Sequence, residues 1–312
     1  MIKRLTLALM IVILALPILA QDEEDEEAAL IADISARVSA AVAQVDEFTS
    51  ITLEGELSVS QRVESIATET IINTSIDQEI EACIEYNEDG STRAVSATLT
   101  QLLDINLGLG SGQLTIDIRV LEGEIYLRAR DASGLMNGQF IEDEWFQLGA
   151  TDDDNLLAQA FGDPEAIIAS FSEQLQYPIT MDTVIEVDDR RGRNIDDDPT
   201  ERWELILDPQ AVYATGALDN ILEGVETDVI GTDADVLVEK LLNGAEITLN
   251  AFLSEETGYL RRIDSEVTFD TTLEVQGESI ALNQTTESEF VYGGFDESCN
   301  VQAPGEETED DE

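Results

Sequence analysis

Apolar residues recur at every second position in run after run of this chain, and that alternation constrains its fold more than any other feature. Ile51, Leu53, Leu57 and Val59 share one parity. Ile80, Ala82, Ile84 and Tyr86 repeat the pattern, as do Leu114, Ile116, Ile118 and Val120, and then Ile125, Leu127 and Ala129. Side chains two apart on a strand stand on the same face, so each run reads as a strand with one apolar side. Turn residues separate the runs: Asn87-Glu88-Asp89-Gly90, Gly108 to Gly112, and Glu122-Gly123. Short turns join antiparallel neighbours, and one-sided alternation belongs to a sheet that is buried on one face. The expected frame is an antiparallel sheet whose apolar face needs a cover.

Helical spacing supplies the cover. Leu30, Ile31, Ile34, Val38, Ala41 and Val45 predict a helix from about Glu27 to Val45. A second helical stretch begins at Asp152, with Leu156, Leu157, Ala160, Phe161, Ile167, Ile168, Phe171 and Leu175. It is interrupted at Gly162-Asp163-Pro164, where Asp163 suits a helix cap and Pro164 a first helical position. Strand patterns resume at Thr180 to Val187 and at Trp203, Leu205 and Leu207, and a further helix is expected over Ala234 to Leu242. Ile247, Leu249, Ala251 and Leu253, then Ile263, Val267 and Phe269, form two last runs around the turn Glu255-Glu256-Thr257-Gly258. The sequence Phe290 to Val301 closes the fold. No repeat and no linker divides the chain, so the reading is one α+β domain over residues 28–303. It is preceded by an acidic leader, 21–27, and followed by an acidic tail, 304–312, expected to be disordered.

Charge removes whole classes of function. With 68 acidic and 15 basic side chains the net charge is −53. A nucleic-acid partner requires a basic footprint, and a polybasic membrane patch is equally missing. The chain has no histidine, which rules out Ser-His-Asp and Cys-His catalysis and His-ligated zinc. A carboxylate pair could still serve a glycosidase, but acids this abundant make any pair uninformative, and 5% aromatic content is thin for a sugar cleft. The expectation is no enzyme and no cofactor. Apolar residues make up 43% of the chain, enough for a folded core.

The N-terminus reads as an export signal occupying residues 1–20. Lys3 and Arg4 precede an uncharged, largely apolar run from Leu5 to Leu19, Pro17 breaks it, and cleavage is expected after Ala20. An uncleaved anchor is the alternative. No cysteine stands directly after the apolar run to accept a lipid, and no later segment is apolar enough to span a bilayer. A secreted or cell-envelope protein can form disulfides, and Cys83 and Cys299 are the only pair. They either bond or remain as two reduced, buried thiols.

The order of motifs resembles a known bacterial group, the LolA-like lipoprotein carriers and the related LppX/LprG envelope lipoproteins. The N-terminal helix leads into the first strand. Gly123-Glu124-Ile125-Tyr126-Leu127-Arg128, followed by Trp145, is similar to the family's mid-sheet strands. Pro199-Thr200-Glu201-Arg202-Trp203-Glu204-Leu205 is similar to its mid-chain strand. Thr257-Gly258-Tyr259-Leu260-Arg261-Arg262-Ile263 resembles the late hairpin, and Phe290 to Pro304 the closing strand. The resemblance implies a curved, unclosed β half-barrel with helices as a lid, enclosing an apolar cavity for acyl chains. The chain departs from the group in lacking the lipidated cysteine, in its length and in its acidity.

Within that frame, strand parity selects Leu114, Ile116, Ile118, Leu127, Leu205, Leu207, Leu249 and Phe269 as the residues that would line a ligand cavity. The partner would be a lipid or another apolar small molecule. The same residues would equally fill the solid core of an extracellular structural or interaction module. Asp152-Asp153-Asp154-Asn155, Asp188-Asp189 and Asp196-Asp197-Asp198 are acidic clusters that could bind calcium, but none has EF-hand spacing and each also reads as a solvated loop. The basic concentration Arg190, Arg191, Arg193 and Arg202 reads as neutralising the neighbouring aspartates.

Overall fold

The computed structural model describes residues 27–45, 47–65, 70–87, 92–105, 110–121, 124–133, 145–147, 179–216, 234–275 and 278–304. The expected signal over 1–20, the leader up to residue 26, the helical stretch over 152–175 and the tail from 305 onward lie outside these residues. Helix α1 spans Glu27–Val45. The strands are β1 (Ser50–Ser65), β2 (Thr70–Tyr86), β3 (Thr92–Ile105), β4 (Gly110–Leu121), β5 (Glu124–Ser133), β6 (Phe146–Gln147), β7 (Val184–Arg190), β8 (Asn194–Ile195), β9 (Asp198–Leu207), β10 (Ala245–Ser254), β11 (Leu260–Val275) and β12 (Glu278–Gly293). Between β9 and β10 lie the short α2 (Pro209–Ala214) and α3 (Ala234–Asn243).

The strands form one antiparallel sheet in the order β6-β5-β4-β3-β2-β1-β12-β11-β10-β9-β7, with β8 paired to β9. Most neighbours are also sequence neighbours, as short turns require. Apart from β7, which pairs with β9 past the short β8, the exception is central: β1 pairs with β12, from Thr52 opposite Gly293 to Ser65 opposite Ile280. The path stays open, with β6 and β7 at its two ends.

Register sorts the side chains into two faces. Leu53, Ala82, Ala97, Ile118 and Leu127 stand opposite one another across five strands. On the other half, Gly55, Phe290, Ile263, Ala251 and Trp203 form a second row. These rows define an inner face. Gly55 is needed there because a Cβ would fall 2.5 Å from the Phe290 ring and 2.7 Å from Ile80. The missing side chain is the space that the phenyl ring occupies.

Helix α1 lies on the inner face with Ile34, Val38, Ala41 and Val45 buried against it. Burying such aliphatic side chains is worth about 1.5–3 kcal/mol each for Ile and Val. Contrary to the expectation that no segment after the signal is apolar enough to span a bilayer, α1 has the length and composition to cross a membrane; its apolar stripe is nevertheless buried against the sheet. Leu30, which shares the helical spacing, is 42% exposed instead, because it sits a turn beyond the packed stretch. Helix α2 starts at the Asp208 cap, whose carboxylate accepts from Gln210 N at 2.9 Å, and buries Val212. Helix α3 packs Leu241 against Phe269.

The outer face carries the charge. Glu79, Glu56, Glu289 and Asp264 stand directly opposite one another across β2, β1, β12 and β11. Glu287 faces Glu266 in the next row. Arg262 answers part of this by bonding both Asp264 and Glu289. Like charges in register destabilise a strand pair by about 0.2–1 kcal/mol and are screened by salt. Glu56→Gln is therefore expected to raise stability by about 0.5 kcal/mol at low ionic strength, with the gain shrinking in molar salt. Urea midpoints at the two salt levels test this, and an unchanged midpoint at low salt would count against repulsion.

After β12 the chain turns back over the outer face as a strap. Asp296 accepts from Thr49 N at 2.9 Å and Thr49 Oγ1 at 2.8 Å, and these two bonds hold its carboxyl below the usual aspartate value. Glu85 accepts from Ser298 Oγ at 3.0 Å and Cys299 N at 2.8 Å. Cys299 is bonded to Cys83 on β2, with Cα atoms 5.6 Å apart, and Arg119 donates to the carbonyl of Gln302 at 3.2 Å. The two cysteines are therefore a disulfide and not a pair of free thiols.

Candidate functional site

The inner face is where the predicted cavity residues gather. Ile116, Ile118 and Leu127 lie on the β4–β5 side, and Leu205, Leu207, Leu249 and Phe269 on the β9–β11 side. All seven are buried. Leu205 and Leu249 are direct neighbours across β9 and β10, and Leu207 stands opposite Ile247. Phe269 belongs to a separate small cluster with Leu241 of α3. The side chain of Leu114 lies outside the described residues. Sheet register thus gathers these positions on one face in two groups, with the β1–β12 seam between them.

Cover on that face is uneven. Toward the Ser50 end of β1, the row through Leu53 and Ile118 is buried in one cluster with α1. Further along the strands, Leu57, Val59, Ile76, Leu99 and Val267 are only half-buried. Small and polar groups accompany them, including the facing Ser265 and Ser288 hydroxyls 2.6 Å apart and Gln61 bonded to Gln284 at 3.2 Å. An apolar strip mixed with neutral polar groups can accept chains and can also meet an uncharged oxygen.

The polar attachment of α1 to this face went unread in the sequence. Arg37 projects from the helix to Glu201, forming an ion pair, and its guanidinium lies 5.7 Å from the Trp203 ring centroid. Trp203 is visible in sequence only as an inward strand residue. Ser35 gives no signal at all, being a small polar residue inside an apolar helix pattern, yet it is buried beside Ile34.

A polar groove of about 290 Å³ opens on the opposite, outer face, lined by Glu56, Asn250, Arg262, Asp264 and Glu289 among others. Its carboxylates make it unsuitable for an apolar body. Nearby, the guanidiniums of Arg193, Arg262 and Arg202 lie 4.7, 5.4 and 5.5 Å from the ring centroid of Phe252. Arg190 pairs with Asp188 and Glu204, and those contacts raise its pKa, the Glu204 hydrogen bond most. Arg190, Arg193 and Arg202 of the basic cluster are thus engaged with local acids and one aromatic ring.

The acidic clusters have local partners too. Asp196 and Asp197 both adopt positive φ, 50° and 65°, which is the geometry of a tight hairpin turn between β8 and β9. Asp196 and Asp198 face Arg261 at 3.2 and 3.5 Å. Asp188 and Asp189 belong to β7, and Asp152 to Asp154 lie outside the described residues. Among the described residues, no group of three or more acids or cysteines is arranged to hold a metal ion.

No protein-family model matches the chain, and none of the curated proteins compared with it does. Solved structures do match. The Mycobacterium tuberculosis lipoprotein LppX is 10% identical, with 86% of this chain and 98% of LppX covered at a TM-score of 0.36. LprF from Mycobacterium bovis is 10% identical, with 87% and 97% covered at 0.38. A DUF1329 family protein from Desulfovibrio piger is 9% identical, with 87% and 95% covered at 0.22. The chain is matched along most of its length by LppX and LprF, the group that its motifs resemble, at low sequence identity.

Proposed function

We propose that this protein is a secreted or cell-envelope, non-catalytic carrier or binding protein for an apolar ligand, a lipid or an acylated molecule. In this reading residues 28–303 act as one domain, and the sheet is the floor of a half-barrel covered by helices. The observation that carries it is the uneven cover of the inner face, where Leu57, Val59, Ile76, Leu99 and Val267 remain half-buried in continuity with the sealed core. Soluble proteins rarely leave such a strip without a purpose. Ile116, Ile118, Leu127, Leu205, Leu207, Leu249 and Phe269 would form its inner wall, with Leu114 alongside. The apolar N-terminal run after Lys3 and Arg4 is consistent with a signal sequence, and the disulfide with an oxidising compartment.

Native mass spectrometry of the protein purified from its own membrane-bearing host tests the proposal. Carriage predicts a population heavier than the polypeptide by the mass of a lipid, lost on collisional activation. Bare polypeptide alone would sink it. A solid-core interaction module without a ligand is the second reading, and the complete burial of Leu127 and Leu205 favours it.

A further inference from the structure

Buried donors without acceptors are uncommon, because leaving one unpaired costs more than a made hydrogen bond returns. Among the described residues, three buried side-chain atoms make no hydrogen bond: Ser35 Oγ, Trp203 Nε1 and Arg261 Nε, and of these Arg261 Nε has the carboxylate of Asp198 3.5 Å away. The other two belong to the layer where α1 meets the inner face. Ser35 is 1% exposed, and its hydroxyl does not take the usual recourse of a helix serine, the carbonyl one turn back. Trp203 closes the row Gly55, Phe290, Ile263, Ala251 on β9. Arg37 lies over its ring and is itself paired to Glu201, so the indole is held in place while its N–H is left over.

We infer that this layer binds its ligand by oxygen as well as by chain: Trp203 Nε1, with Ser35 Oγ as a second donor, donates to the ester carbonyl oxygens of a neutral acyl lipid. The inference rests on the carrier reading and narrows its ligand class. An indole N–H can only donate, so it selects an acceptor. Both donors are uncharged, and the nearby cation, Arg37, is already neutralised by Glu201. A chain of net charge −53 adds a field that disfavours an anionic head. The ligand that fits is apolar in the body, oxygen-bearing and without charge.

The test compares two probes of equal carbon number, methyl palmitate and heptadecane, delivered from cyclodextrin to the full folded chain. Partition from water alone favours the alkane, so preference for the ester requires a polar contact. The expected result is that methyl palmitate binds about tenfold more tightly, the equivalent of one net hydrogen bond. The chain has two tryptophans, so Trp145→Phe leaves Trp203 as sole emitter, and its fluorescence should shift with the ester more than with the alkane. Trp203→Phe should bring the ester-to-alkane ratio toward one, and Ser35→Ala should reduce it less. Tighter binding of the alkane in the unaltered chain, as partition alone predicts, or an ester preference that survives Trp203→Phe, overturns the inference and leaves carriage standing. If neither probe binds, carriage itself fails and the inference falls with it.

Discussion

Removing the Cys83–Cys299 bond, by reduction or by Cys83→Ser with Cys299→Ser, lowers the unfolding free energy by about 5 kcal/mol. The bond closes a loop with a sequence separation of 216 residues. In the chain-entropy treatment such a closure removes freedom from the unfolded chain alone, and the effect grows with the logarithm of loop length to about this size. The folded state should change little, because the strap has independent anchors. Thr49 donates to Asp296, and Ser298 and Cys299 donate to Glu85. The measurement is urea unfolding with and without reductant, followed by near-ultraviolet circular dichroism. A midpoint change equivalent to less than about 1 kcal/mol would show that the unfolded chain is already compact across the closed loop.

Leu205→Ala is expected to cost about 3 kcal/mol, within the usual 2–5 kcal/mol for a buried leucine. Leu205 is fully buried, with Leu249 opposite on β10 and Val187 opposite on β7. Truncation removes apolar contact area and leaves a hole that flanking strands cannot close, since both are fixed by ladder hydrogen bonds. The same substitution separates a filled core from a ligand wall. A side chain that already borders open space loses fewer contacts on truncation, so a cost below about 1 kcal/mol would place a void beside Leu205. Unfolding in urea of the delipidated protein gives the number directly.

Sequence periodicity made much of this fold legible, and its failures have identifiable causes. Helix α1 was readable because its apolar residues keep helical spacing over five turns, and α3 for the same reason. Strands β4, β5, β9 and β10 were readable because one parity is apolar and the other is polar. Strand β3 is not: Ala94 and Val95 are both buried, and Leu102 and Leu103 are adjacent, so neither parity stands out. The first half of β2 fails similarly at Ile71 and Ile72, where Ile71 is 40% exposed on the outer face. Helix α2 is six residues long, too short for any period to register. The pairing of β1 with β12 has no local signature, because nothing in either strand names a distant partner.

The candidate site divides the same way. Parity put the seven described cavity candidates on one face, since facing is a property of a single strand. The Arg37–Glu201–Trp203 contact joins a helix to a strand far along the chain, and Ser35 breaks an apolar pattern without leaving a readable trace. The outer carboxylate rows were visible as charge, but their register needed the pairing of β2, β1, β12 and β11 to appear.

That central pairing sets an order of assembly. Thr52 cannot meet Gly293 until almost the whole chain has been made, so β1 waits with one edge open while β2 to β5 are already able to zip onto its other side. Closing so distant a contact is slow, and an open edge beside an apolar face invites capture by a neighbouring chain in the interval. The carboxylates of Glu54, Glu56 and Glu64 stand along the waiting strand. Two copies brought edge to edge there would set acid against acid, so the charge that tells against the finished sheet protects the unfinished one.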